Sequence, residues 1–234
     1  MKLLAIDATT PTASVALRVD DRLVSLHTIC DGKTHSETLL PLIDRVLREG
    51  NLTTKELDGF IVANGPGSFT GLRIALATVK ALAHAYNKPI YAISTLRAMA
   101  YHGRHFEGLI CPILDARRQQ VYSAVYQLDH RSGVYTERTK EDTYLLSDLL
   151  DLLRGERVLF VGDGVRAHTS ILKKTLDNKH VLGDAHEALN TAYGLFWAYD
   201  QNQFTEHTYL DLEASYLRQS QAERELKTGI PHEN

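Results

Sequence analysis

Short runs of apolar and branched residues over Leu3 to Asp7, Ala13 to Val19 and Leu23 to Cys30, set apart by polar breaks, predict three β-strands. Asp20-Asp21 sits between the last two and reads as a tight hairpin turn. Apolar positions then recur at steps of three and four residues. Leu39, Leu40, Ile43, Val46 and Leu47 fall on one side of a helix that Thr34 or Ser36 caps and Gly50-Asn51 closes near Glu49. A short apolar strand, Gly59 to Ala63, leads into a glycine-rich loop and a helix over Ile74 to Tyr86. Pro89 to Ile93 predicts another strand, and Ser94 caps a helix reaching about Tyr101.

A second unit starts near Gly108. Leu109 to Asp115 and Gln120 to Tyr126, both rich in branched or aromatic residues, predict a hairpin. Helices follow at Ser147 to Leu153 and Val165 to Leu176, with a strand at Val158 to Val161 and a Gly162-Asp-Gly164 turn between them. Ala185 to Asp200 reads as a final long helix. The pattern supports a mixed α/β chain with room for two lobes: residues 1–107 completed by helical chain at about 186–218, a smaller unit at 108–185, and a polar, mobile tail at 219–234.

With 44% hydrophobic and 24% charged residues among 234, the chain can bury a full core. Its net charge of −3 excludes a protein that grips a phosphate backbone unaided, so any RNA role is shared with a partner. Cys30 and Cys111 lie far apart in apolar stretches and read as reduced structural thiols. Met1 to Ile6 breaks at Asp7, too soon for a signal peptide, and no unbroken apolar run is long enough to span a membrane. A cytoplasmic protein is expected.

The segment with the most candidate chemistry is Asn64-Gly-Pro-Gly-Ser-Phe-Thr-Gly-Leu-Arg73, which joins strand to helix through three glycines. Gly65, Gly67 and Ser68 could bring backbone amides and a helix N-terminus to an anion. A tight turn that binds nothing is the simpler reading, because neither the P-loop nor the dinucleotide spacing is present. Asp7, Thr9 and Thr10 end the first strand with a carboxylate and two hydroxyls, and an ordinary strand-end turn explains them equally. His35 and Glu37 open the first helix, where capping accounts for Glu37 without acid–base chemistry. Ser68 lacks the Gly-x-Ser-x-Gly setting of a nucleophile elbow.

Five segments, Leu4 to Thr10, His35 to Pro41, Asn64 to Arg73, Asp115 to Arg118 and Tyr216 to Arg218, together resemble the bacterial TsaB (YeaZ) family. Small departures occur at Asp7-Ala-Thr and Arg73-Ile-Ala-Leu, where the family usually has Asp-Thr-Ser and Arg-Ile-Gly. The resemblance implies the two-lobed actin/hexokinase-like (ASKHA) fold, built from duplicated strand-helix units. It further implies a non-catalytic subunit of the complex that places threonylcarbamoyl on adenosine 37 of tRNA. That subunit would bind and support the TsaD-type transferase, join a TsaE-type ATPase in a larger assembly, and reach tRNA only through the complex. Alone it would form a homodimer.

In the paralogous enzyme the resemblance places two metal-binding histidines and a glycine-rich hairpin. Here Thr95 and Met99 stand at the histidine positions, and Leu114 to Gln119 forms a hairpin without glycine. The expectation is therefore no metal and no tightly bound nucleotide on this chain, with ATP or ADP and the metal in the partner or at the shared interface. His102 and His105 read as surface histidines. The partner surface implied is the first two helices: Leu39, Ile43, Val46, Leu72, Arg73, Leu76, Val79, Lys80 and Ala83. The alternatives are a stand-alone ATP-dependent kinase resting on Asp7, Thr9, Thr10 and the glycine loop, and a metallopeptidase. The second lacks any His-Glu-x-x-His helix.

Overall fold

The computed structural model describes the chain apart from His130, Asn178, Ala185, Glu187, Ala188 and residues 218–234. The first half contains β1 (Lys2–Asp7), β2 (Ala13–Val19), β3 (Arg22–Ile29), α1 (His35–Glu49), β4 (Gly59–Ala63), α2 (Phe69–Tyr86), β5 (Ile90–Ile93) and α3 (Thr95–Met99). The second contains β6 (Leu109–Asp115), β7 (Gln120–Asp129), β8 (Val134–Leu145), α4 (Leu146–Leu152), β9 (Val158–Val161), α5 (Asp163–Ala167), α6 (Thr169–Thr175) and β10 (His180–Leu182). The chain then returns to the first sheet through α7 (Ala192–Asp200) and β11 (Thr205–His207).

Two sheets repeat one wiring. The first runs β11-β5-β4-β1-β2-β3 and the second β10-β9-β6-β7-β8. In each, three antiparallel strands are followed by two that add in parallel on the far side of the first strand. This duplication is the two-lobed, actin-like α/β architecture.

Central strand β1 is apolar on both faces because both are covered. Leu4 and Ile6 face the cluster built with α1 and α2, while Leu3 and Ala5 face the cluster built with α7. Ile6 lies opposite Val62 in the parallel pair, so β1 and β4 end side by side and their following loops share one edge of the sheet. That edge faces the second lobe, as ligand-bearing edges of parallel strands do in open α/β sheets.

Some elements differ from the sequence reading. Helix α2 begins at Phe69, earlier than Ile74, because Ser68 caps it by accepting a hydrogen bond from the Gly71 amide. The helix expected over Val165 to Leu176 is two, broken at His168, whose φ of −113° and ψ of 18° leave the helical region. The last helix covers only Ala192–Asp200, and the chain that follows to Leu217 holds β11 and irregular backbone rather than helix. Ala185, Arg218 and the tail at 219–234 lie outside the described residues. Strands β8 and β10 lie at the edges of the second sheet, and β8 is Thr- and charge-rich as edge strands are. Among the described residues no helix is long and apolar enough to cross a membrane.

Candidate functional site

The two loop edges meet across a cleft of about 480 Å³. One wall carries Thr9, Thr10, Gly67, Ser68 and Thr70, the other Leu114, Asp115, Arg117, Tyr122 and Asp163, and Ser215 to Leu217 close one end. Of the candidate phosphate residues, Thr9, Thr10, Gly67 and Ser68 thus line the cleft, whereas Asp7 and Gly65 lie behind its surface.

Asp7 is buried at the end of β1. Its Oδ1 accepts from the Thr9 amide at 2.9 Å and the Thr9 hydroxyl at 2.7 Å. Its Oδ2 accepts from Asn190 Nδ2 at 3.2 Å, and the same nitrogen donates to Thr9 Oγ1 at 3.0 Å. Burial raises the carboxyl above its usual range, and the bonds from Thr9 and Asn190 partly oppose that shift. The carboxylate thus holds its own turn and ties it to the chain entering α7. Asn190 carried no signal in the sequence, being one polar residue in a stretch expected to be helical.

The glycine loop packs against the chain itself. The Ser68 amide donates to Thr9 O at 2.6 Å, the Thr95 amide to Gly65 O at 2.9 Å, and the Ser215 amide to Asn64 O at 2.7 Å. A Cβ on Gly67 would stand 2.2 Å from Thr9 O, and one on Gly65 would stand 2.4 Å from Ser215 O. Both residues also have positive φ, 157° and 122°. Glycine is required here so that three backbone segments can touch, and the Ser68 amide already has an acceptor. The Gly65-Pro66 bond is cis. The turn reading accounts for the loop without a ligand.

Across the cleft, the β6–β7 hairpin turns through Arg117, Arg118 and Gln119, all left-handed with φ of 63°, 54° and 60°. Asp115 Oδ1 accepts from the Arg117 amide at 2.9 Å and lies 3.2 Å from His168 Nε2. The Asp115 amide donates to Asp163 Oδ1 at 3.1 Å. Burial, with the neighbouring Asp115 charge adding to it, lifts the Asp163 carboxyl to about 6. A polyphosphate here would meet two carboxylates, one arginine from this wall, and side chains where glycine would leave backbone open. The donor set does not fit it.

The remaining candidates are structural. Thr95 and Met99 are buried at the start and end of α3, and Met99 packs with Leu96, Ala100 and Tyr126 between the lobes. His102 Nε2 lies 3.1 Å from Leu189 O, and His105 is exposed. Among the described residues no group of His, Cys, Asp and Glu is placed to hold a metal. Glu37 accepts from the Thr34 amide at 3.2 Å and hydroxyl at 2.7 Å, which holds its carboxyl below the usual range. His35 Nε2 lies 2.7 Å from Thr10 O and braces the first loop.

The expected partner surface needs correction. Leu39, Ile43, Val46, Leu76, Val79 and Ala83 are buried in the core cluster with β1, β2 and β4, and Leu72 is buried beside Gly65. The sheet covers the apolar side of both helices, and those side chains are unavailable to another protein. Arg73 is exposed and Lys80 half-buried. The outer side of α2 instead presents Ala77, Ala81 and Ala85, beside an α1 whose Leu40 is 56% exposed.

The family model described as TsaD, tRNA N6-adenosine threonylcarbamoyltransferase, matches residues 30–139. The Bacillus subtilis (strain 168) tRNA threonylcarbamoyladenosine biosynthesis protein TsaB is 35% identical over 187 residues, 79% of this chain and 81% of its own length. The Escherichia coli (strain K12) protein of that name is 30% identical over 234 residues, 97% of this chain and 98% of its own. A crystal structure from Pseudomonas aeruginosa, described as an uncharacterized protein with similarity to peptidase YEAZ, superposes with a TM-score of 0.77 at 26% identity. It covers 93% of this chain and 99% of its own.

Proposed function

The chain belongs to the TsaB family of tRNA threonylcarbamoyladenosine biosynthesis proteins, and from that membership we propose that it is the non-catalytic subunit that binds and supports a TsaD-type transferase. One observation carries the reading: the groups an actin-like enzyme would turn toward a ligand are engaged with the chain's own backbone. Asp7 is bonded to Thr9 and Asn190, and the Ser68 amide to Thr9 O. Groups engaged in this way hold a scaffold in shape, whereas a reacting phosphoryl group needs donors that are free and aimed at its oxygens.

The contribution to modification is then docking. Ala77, Ala81 and Ala85 recur at four-residue steps along α2 and let a second helix approach closely, with Leu40 of α1 as an apolar neighbour. Catalysis, metal and most nucleotide contacts belong to the transferase or to the shared interface. A TsaE-type ATPase joins the larger assembly, tRNA is held by the complex, and without its partner the chain pairs with a second copy.

Reconstitution tests this. Purified transferase paralogue, tRNA and a threonylcarbamoyl donor are combined with and without this chain, and modified adenosine is quantified. The expected result is modification only when both proteins are present. Equal modification by the transferase alone would refute the proposal.

A further inference from the structure

Arg73 stands where the outer side of α2 meets the mouth of the cleft. Its guanidinium lies 3.8 Å from the centroid of the Phe69 ring, and its Nε donates to the Tyr216 hydroxyl at 3.3 Å. Phe69 and Tyr216 pack against one another with centroids 4.7 Å apart and ring planes tilted by 31°. Tyr216 is itself held by the chain beside it, where the Ser215 amide donates to Asn64 O. An exposed arginine is ordinarily free to sample many rotamers. This one is fixed by a ring below and an acceptor at one edge.

What the contacts leave open is specific. Arginine has five N–H donors, and among the described residues only its Nε has an acceptor, so neither Nη group is paired with a carboxylate there. No acidic residue occurs anywhere in α2, from Phe69 to Tyr86. Arg73 shares its exposed side with Ala77 and Ala81, four and eight residues on, with Lys80 at the margin. The face is small in its side chains and positive in its charge. A partner helix bearing carboxylates would complement it.

We infer that Arg73 is a pre-organised receptor for a carboxylate on the docking partner, with Phe69 and Tyr216 as its positioning residues. The occupant is an acidic helix of the transferase paralogue, laid along α2 so that an Asp or Glu meets the Nη edge in a paired, fork-like contact. The inference rests on the docking reading above and adds to it the chemistry of the contact. Because the guanidinium is already ordered, less freedom is lost on binding, and this small surface contact behaves as an anchor.

Affinity between this chain and the transferase paralogue is measured by calorimetry for the wild type, Arg73→Ala, Arg73→Lys and Tyr216→Phe. Thermal unfolding and ¹⁵N spectra of the free chain accompany each variant. Arg73→Ala should weaken binding on the order of 30-fold. Arg73→Lys should lose roughly tenfold, since a point charge cannot replace the fork. Tyr216→Phe should weaken binding about threefold, and the free chain should lose the slowed exchange of the Arg73 Nε–H. Lysine binding within twofold of arginine, or alanine binding like the wild type, overturns the inference while leaving the docking reading intact. If the wild type does not bind the paralogue at all, both fall.

Discussion

Replacing Gly67 by alanine separates a loop built for its own fold from one built for a ligand. The added Cβ would lie 2.2 Å from Thr9 O, 2.8 Å from Thr9 Cβ and 2.9 Å from Thr9 C, on a backbone whose φ is +157°. Relief to ordinary contact requires a displacement of about 1 Å, which breaks the 2.6 Å bond from the Ser68 amide to Thr9 O. The lost buried bond costs about 1 kcal/mol. Strain in a region that side chains rarely enter adds about 1–3 kcal/mol. The total of about 2–4 kcal/mol corresponds to a fall in Tm of roughly 5–15 °C for a chain of this size. Differential scanning calorimetry of the free protein measures it. A Tm within about 2 °C of the wild type would refute the claim that this glycine serves the chain's own packing.

The corrected docking surface makes a paired prediction: Ala81→Glu, on the exposed side of α2, leaves Tm nearly unchanged but abolishes co-elution with the transferase paralogue. Val79→Ala, in the core beneath it, costs about 2 kcal/mol in urea unfolding and leaves docking in place. Asp163 gives a pH signature. Its native carboxyl titrates near 6 against 3.8 for the unfolded chain, so the native state binds the extra proton between those values. Its contribution to stability is full below about pH 4 and is lost as pH rises through about 6. Asp163→Asn should flatten that fall in the urea midpoint, and parallel profiles for variant and wild type would count against the assignment. Calorimetry of the isolated chain with ATP and magnesium should give no binding heat, because the cleft wall that carries Arg117 also carries the carboxylates of Asp115 and Asp163; clear saturation would restore the kinase alternative.

The strands and caps were legible because their signals are local. Leu3 to Asp7 alternates between two covered faces, Asp20-Asp21 makes the hairpin between β2 and β3, and the first helix begins where Thr34 and Glu37 predict. The glycine loop was legible as a loop, but its neighbours were not: Thr9 and Ser215 reach it from distant parts of the chain. Helix α2 misled for a related reason. It is apolar nearly all round, and without knowing where the sheet lies, its larger residues look like the better interface. In fact β1 and β4 take the large side chains, and the exposed side is left with alanines. Asn190 and the run of left-handed residues at Arg117 to Gln119 have no periodicity or glycine to announce them. Their roles depend on contacts across the fold.

If Asp7 keeps the scaffold in shape and performs no chemistry, its charge is dispensable for turnover. The most direct test is tRNA modification by the reconstituted complex carrying Asp7→Asn in this chain, with complex formation verified by co-elution. Asparagine keeps one oxygen to accept from Thr9 and loses the acceptor that meets Asn190, a structural cost read separately as a lower Tm, but it cannot act as a carboxylate, so the intact complex should modify tRNA at the wild-type rate. An intact complex that has lost modification by two orders of magnitude or more, the scale typical of a missing acid–base group, would show that Asp7 takes part in the chemistry.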